Sequence, residues 1–227
     1  MTDQLPKDDP EVAWQDVVRF IRQLGHDIRN HLNAAELQAA YLNEVATDAE
    51  TKSEIKRLRE MVAEVSRSLQ RVTSKITPVT INPIKYRCAD FVEDVKQKLA
   101  STKSGATTTW TVQVGEAAIE IDPTLLQEVV VELFENAASH SPGDAPFAVS
   151  AAIADGQFEL TLREPKKQFA AAIENWGREP LRSIGRGQYG LGLNRVRMIV
   201  AAHDGSFSAR YDPDKSTLVS RIVLPLA

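Results

Sequence analysis

The sequence predicts an α+β chain in two parts. A helical hairpin comes first, able to pair with a second copy into a dimeric four-helix bundle, and an α/β sandwich follows. Between residues 11 and 76 there is no proline and no glycine but Gly25, and apolar residues recur at three- and four-residue steps. Pro78 and Pro83 then interrupt the helical pattern. Beyond them, runs rich in β-branched residues alternate with helical segments, the pattern of a sheet layered on helices.

The first helix carries Trp14, Val17, Ile21, Leu24, Ile28, His31, Ala35 and Leu42 as its apolar stripe. Thr47-Asp48-Ala49-Glu50 has the form of a capping box, so the turn is expected near residues 45–49. The second helix carries Ile55, Leu58, Val62, Val65, Leu69, Val72 and Ile76, an unbroken heptad seam. Two helices with one stripe each cannot enclose a core, so a homodimer is expected. With Ile21 and Ile28 at a positions, His26 falls at f, facing water, and His31 at d, facing the seam.

After the linker, residues 84–100 read as a helix and Thr107–Val114 as a strand, with Ile119–Ile121 a short strand. Pro123–Ser139 reads as a helix, with Asp122 as N-cap and proline at its first position. Phe147–Ile153 and Phe158–Arg163 flank Asp155-Gly156, a hairpin turn signal. A helix over 190–203 stops at Asp204-Gly205, and Ser206–Asp212 with Thr217–Leu224 forms a last hairpin. The expected domains are therefore 11–78, the hairpin, and 84–227, the sandwich.

Composition narrows the class. The 227 residues are 43% hydrophobic and 26% charged, as in an ordinary soluble protein, with a net charge of −4 and no basic tract. That argues against nucleic acid as a partner. The single cysteine, Cys88, cannot form an internal disulfide and suits a reducing compartment as a small, partly buried residue. Met1–Pro10 is polar and acidic without an apolar signal core, and no run reaches the length of a membrane span. The expectation is a cytoplasmic chain with no membrane contact, taking its input from a partner or the cytoplasm.

The chemistry-bearing segments are four. His26-Asp27-x-Arg29-Asn30-x-Leu32 sits in the first helix. A neutral imidazole has a nucleophilic lone pair near pH 7, and a neighbouring carboxylate can orient it and take its proton. Alone, His26 reads more readily as a solvated surface histidine; within the full box the nucleophile is the better reading. A metal-hydrolase reading fails because no ligand spacing accompanies it. The second segment runs from Asp122-Pro123 through Glu132-Leu133 to Asn136-Ala137 and His140-Ser141-Pro142, with Glu132 and Asn136 on one helix face. The third is Gly190-Leu191-Gly192-Leu193, heading the last helix and followed by Val196, Ile199, Val200, His203 and Gly205. Glycines there let backbone approach an anion at a helix N-terminus. The fourth is Glu164-Pro165-Lys166-Lys167-Gln168 at the end of a strand, whose plain reading is an exposed charged turn.

Together these segments resemble a two-component histidine-kinase transmitter: a dimerisation and histidine-phosphotransfer hairpin, then a domain of the histidine-kinase/Hsp90-type ATPase fold. The resemblance covers about residues 14–227. It implies that His26 carries a phosphoryl group, that Asp27 orients the ring and accepts its proton, and that Arg29 and Asn30 complete the box, Asn30 holding water during phosphatase action. His31 stands where the family often has proline, so the first helix is expected to be straighter. The resemblance also implies that Asn136 binds Mg²⁺ beside Glu132, and that Gly190 and Gly192 line the phosphates of ATP. Ser139 replaces a phosphate-contacting basic residue, and Gln188 replaces a glycine. Glu179-Pro180-Leu181 matches a Glu-Pro-Phe segment in part.

The fourth segment departs furthest from the family. Glu164 replaces the aspartate that bonds adenine, and Lys166 and Gln168 replace glycines. Losing a charged hydrogen bond costs roughly 1.5–3 kcal/mol, about 10- to 150-fold in affinity. The expected function is thus a phosphorelay histidine phosphotransferase with a degenerate ATP site, exchanging phosphoryl groups with a response-regulator receiver domain. The alternatives are an active cytosolic kinase using ATP and Mg²⁺, and a non-catalytic pseudo-kinase binding module.

Overall fold

The computed structural model describes residues 13–100, 108–140, 145–166, 178 and 190–227. The chain divides into two compact units, Met1–Thr77 and Pro78–Ala227. No helix among the described residues is long and apolar enough to cross a membrane.

The first unit is a helical hairpin of α1, Trp14–Val45, and α2, Ala49–Ile76. The cap of α2 lies one residue later than the capping-box pattern places it. Asp48, not Thr47, is the N-cap, and its carboxylate accepts from the Thr51 N–H at 2.7 Å. A short carboxylate side chain one residue closer wins the first-turn amide, and that bond holds the Asp48 carboxyl below its ordinary pKa.

The contact between the helices also differs from the expected stripe. On α1, Gly25 and Ala39 are buried and Ile21, Ile28 and Leu32 half-buried, whereas Leu24, His31, Ala35 and Leu42 are exposed. The expected seam is thus split: Trp14, Val17, Ile21 and Ile28 are half-buried, and Leu24, His31, Ala35 and Leu42 form a second, exposed stripe. Small residues decide between them. A Cβ on Gly25 would lie 2.7 Å from Thr73 Cγ2, so the missing side chain is what lets α1 and α2 approach. On α2, Ile55 and Ile76 are buried while Leu58, Met61 and Val65 are exposed. Arg59 bonds Glu36 across the hairpin at 2.6 Å, which raises the Arg59 pKa, chiefly through the hydrogen bond.

The second unit is an α/β sandwich. β1, Ile84–Arg87, pairs antiparallel with β3, Ala118–Ile121. The segment expected to open a helix is therefore a strand, and α3 begins only at Cys88, running to Ala100. Ile-Lys-Tyr-Arg alternates with period two, and Tyr86 donates back to Asp94 of α3 at 2.7 Å. The main sheet has the order β2-β4-β5-β7-β6. Its strands are β2, Thr109–Gln113; β4, Ala148–Ala154; β5, Gln157–Pro165; β6, Ser206–Asp212; and β7, Thr217–Pro225. β2 runs parallel to β4 and every other pairing is antiparallel. Asp155 and Gly156, both at positive φ, turn the β4–β5 hairpin.

α4, Pro123–His140, and α5, Gly192–Ala202, join α3 in one apolar core with the sheet. Phe91, Leu126, Ile199 and Phe158 are buried there. Asp122 caps α4 through the Leu125 N–H at 3.1 Å, as the sequence predicts. The Asp122 N–H donates to His203 Nε2 at 2.9 Å, and His203 Nδ1 lies 2.7 Å from the Ile199 carbonyl. Nδ1 must then carry the proton and donate, so buried His203 is a neutral strut tying the end of α5 to the start of α4.

Candidate functional site

Polar groups gather in two places, one in each unit. On α1, His26 follows the buried Gly25 by one residue, about 100° round the helix, so its side chain leaves the α2 contact and is 64% exposed. Its ring nitrogen Nδ1 lies 3.3 Å from Asp27 Oδ1 and 3.3 Å from Asn30 Nδ2. Gln23 Nε2 donates to the same Asp27 oxygen at 2.9 Å. Gln23, Asp27 and Asn30 recur at i, i+4 and i+7, so one polar face carries them beside the imidazole. Arg29 is exposed on the same helix. The structure thus brings His26, Asp27 and Asn30 together and adds Gln23, which no motif marked. Its signal was present in the four-residue spacing to Asp27.

Such a cluster can present an unburied nucleophile. If Nδ1 is protonated it donates to Asp27, and the Nε2 lone pair points outward. His31, five residues on, is also exposed. It lies on the side of α1 that carries Leu24, Ala35 and Leu42 and shares no bond with the His26 cluster's own polar contacts.

In the second unit, Asn136 Nδ2 approaches Glu132 Oε1 at 3.5 Å, one helical turn apart on α4. The Glu132 carboxylate lies against the first residue of α5, since a Cβ on Gly192 would come 1.8 Å from Glu132 Oε1. No side chain fits there. Gly192 thus makes room for a carboxylate of its own chain, and the positive end of a helix favours that charge. Gly190 has φ +63°, a left-handed conformation that costs glycine little. Glu132, Asn136, Gly190 and Gly192 therefore form one neighbourhood. Carboxylate and amide oxygens are the hard donors that Mg²⁺ takes beside phosphate oxygens. Among the described residues, no group of three or more His, Cys, Asp or Glu side chains has metal-ligand geometry.

Glu164 sits at the end of β5, and for Glu164 and Lys166 the expectation of an exposed charged turn is wrong. Glu164 and Lys166 are both buried, each side chain 5% exposed, and pair at 3.2 Å from Nζ to Oε2. The reason is period two along the strand. Phe158, Leu160, Leu162, Glu164 and Lys166 alternate onto one buried face. The backbone is held as firmly, with the Lys166 N–H donating to the Ser216 carbonyl at 2.7 Å and Tyr211 Oη donating to the Lys166 carbonyl at 3.0 Å. Lys167, Gln168, Glu179-Pro180-Leu181 and Gln188 lie outside the described residues, as do Ser141 and Pro142.

Comparison with known proteins agrees with this architecture. Residues 121–227 match the family described as histidine kinase-, DNA gyrase B-, and HSP90-like ATPase. The chain is 27% identical over 203 residues to the sensor histidine kinase ZraS of Klebsiella oxytoca, covering 86% of this chain and 43% of that protein. It is 32% identical over 112 residues to the sensor histidine kinase component HK1 of Mycobacterium tuberculosis, covering 47% of this chain and 64% of that one. The chain thus spans less than two thirds of either relative. Among solved structures, full-length ShkA in complex with AMPPNP matches with a TM-score of 0.69 at 18% identity, over 92% of this chain and 46% of that one. At that identity the likeness is one of fold.

Proposed function

We propose that this chain, a two-component histidine kinase transmitter with an Hsp90-like ATPase domain, works in a phosphorelay as a histidine phosphotransferase. The first unit, residues 11–78 in function, dimerises and carries the phosphoryl group on His26. Residues 84–227 form the ATPase-type domain, whose base-binding end is not suited to ATP. The observation that carries the reading is the exposed His26 imidazole beside Asp27 and Asn30.

The reaction balances on groups of this chain and a receiver domain. The Nε2 lone pair attacks the phosphorus of an aspartyl phosphate. The P–N bond forms, the P–O bond breaks, and the aspartate leaves as a carboxylate. The ring becomes cationic, and Asp27 shares its Nδ1 proton. In reverse, a receiver carboxylate takes the group from His26, and the imidazole returns neutral. No step needs Glu164, whose partner is Lys166.

A second copy would cover the apolar stripe left open on α1 and α2, where Phe20, Leu24, Val45, Met61 and Val65 are exposed. A cytoplasmic location suits a receiver-domain partner. The runner-up is a kinase that phosphorylates its own His26 from ATP, favoured by the Glu132–Asn136 pair against Gly192, where Mg²⁺ would be held. One experiment separates the readings. With a phosphorylated receiver domain, acid-labile label is expected on the wild type and not on His26→Ala. With labelled ATP and Mg²⁺, none is expected. Label from ATP that is lost in His26→Ala would establish the kinase, and label from neither source would leave a binding module.

A further inference from the structure

We propose that Gln23 is a positioning residue for the phosphoacceptor, acting through Asp27 to set the tautomer of His26. The inference rests on the reading of His26 as the group that carries phosphate. Nδ1 has two neighbours at 3.3 Å that ask opposite things of it. Asp27 Oδ1 is an acceptor and requires Nδ1 to be protonated; Asn30 Nδ2 is a donor and requires it to be bare. A neutral imidazole satisfies one of them. When Nδ1 carries the proton, Nε2 has a lone pair and is a nucleophile. When Asn30 donates to Nδ1, Nε2 carries the proton and cannot attack.

Gln23 acts on one side of this contest. Its amide donates to Asp27 Oδ1 at 2.9 Å, the very oxygen that faces Nδ1. A carboxylate on an exposed helix otherwise rotates freely. Anchored from one turn below, it keeps Oδ1 on the imidazole. Gln23 and Asn30 are therefore antagonists: the first favours the nucleophilic tautomer, the second the inert one. Gln23 is exposed, so its removal should leave the hairpin's packing alone.

The test reads the tautomer directly. Long-range ¹H–¹⁵N correlation spectra of the full chain at about pH 8.5, some two units above the ordinary histidine pKa, give the Nδ1–H to Nε2–H ratio of His26. Gln23→Ala is expected to lower the Nδ1–H share, Asn30→Ala to raise it, and Gln23→Ala to have no effect in an Asp27→Asn background. In parallel, potassium phosphoramidate supplies a phosphoryl group: Nε2 attacks phosphorus, the donor P–N bond breaks, and ammonia leaves. Gln23→Ala is expected to slow this by about threefold to tenfold, with thermal unfolding unchanged. An unchanged tautomer ratio in Gln23→Ala overturns the inference, as does a shift of equal size in the Asp27→Asn background. If the wild type takes up no phosphoryl group while the tautomer arms behave as expected, the positioning stands and the phosphoacceptor reading fails.

Discussion

Replacing Lys166 by methionine removes the cation and keeps most of the side-chain volume, leaving the Glu164 carboxylate buried without its ammonium partner. Both side chains are 5% exposed and pair at 3.2 Å, so solvent screening gives little relief. Breaking such a pair from one side costs about 3–5 kcal/mol, because the remaining buried charge loses its counter-ion. With a urea m-value of about 2 kcal/mol/M for a domain of this size, the midpoint should fall by roughly 2 M. Urea unfolding of the full chain, followed by circular dichroism and by tryptophan fluorescence, measures this. The double variant Glu164→Leu/Lys166→Met is the control. An apolar pair of similar volume commonly restores stability or exceeds it. A loss under 1 kcal/mol in Lys166→Met, or a double variant as unstable as the single, would refute the reasoning and mean that the pair is effectively solvated.

Other expectations follow from the same geometry. Gly25→Ala gains roughly 1 kcal/mol of helix propensity but drives a methyl to 2.7 Å from Thr73 Cγ2; overpacking of about 1–3 kcal/mol should make the hairpin less stable, and adding Thr73→Ser should recover most of it in thermal melts. Burial pushes the Cys88 thiol up to about 11 from 9.0. The folded state therefore holds this proton more tightly, so its contribution is complete below pH 9.0 and is lost as pH rises toward 11. Compared with Cys88→Ala, the wild type should lose on the order of 1–2 kcal/mol more over that window, and native Cys88 should resist thiol reagents at pH 8. Light scattering should give roughly twice the 25.1 kDa chain mass, and Leu24→Asp, at the 43% exposed position, should return a single-chain mass without unfolding α1.

The hairpin, the order of strands and helices, and the grouping of His26 with Asp27 and Asn30 were legible because they depend on local periodicity and spacing. What escaped depends on three-dimensional competition. Both stripes of α1 are apolar, and nothing in the pattern says which one meets α2; the absence of a side chain at Gly25 decides it. Ile84–Arg87 borders a helix, and its strand state depends on β3, some thirty residues on. Glu164 and Lys166 read as surface charges because charge is usually solvated, yet their strand parity put both inside, where each makes the other tolerable. The closeness of Glu132 to Gly192 was likewise not legible, because it depends on how α4 packs against the start of α5.

The Glu164–Lys166 pair also bears on the routes open to this chain in evolution. Changing either residue alone takes the counter-ion from a buried charge, at about 3–5 kcal/mol, against a total stability of roughly 5–15 kcal/mol for a typical domain. A lineage that once acquired both charges crosses a valley to lose them one at a time. The pair therefore tends to be kept or replaced as a unit, and drift at the end of β5 is slower than at the exposed positions around it.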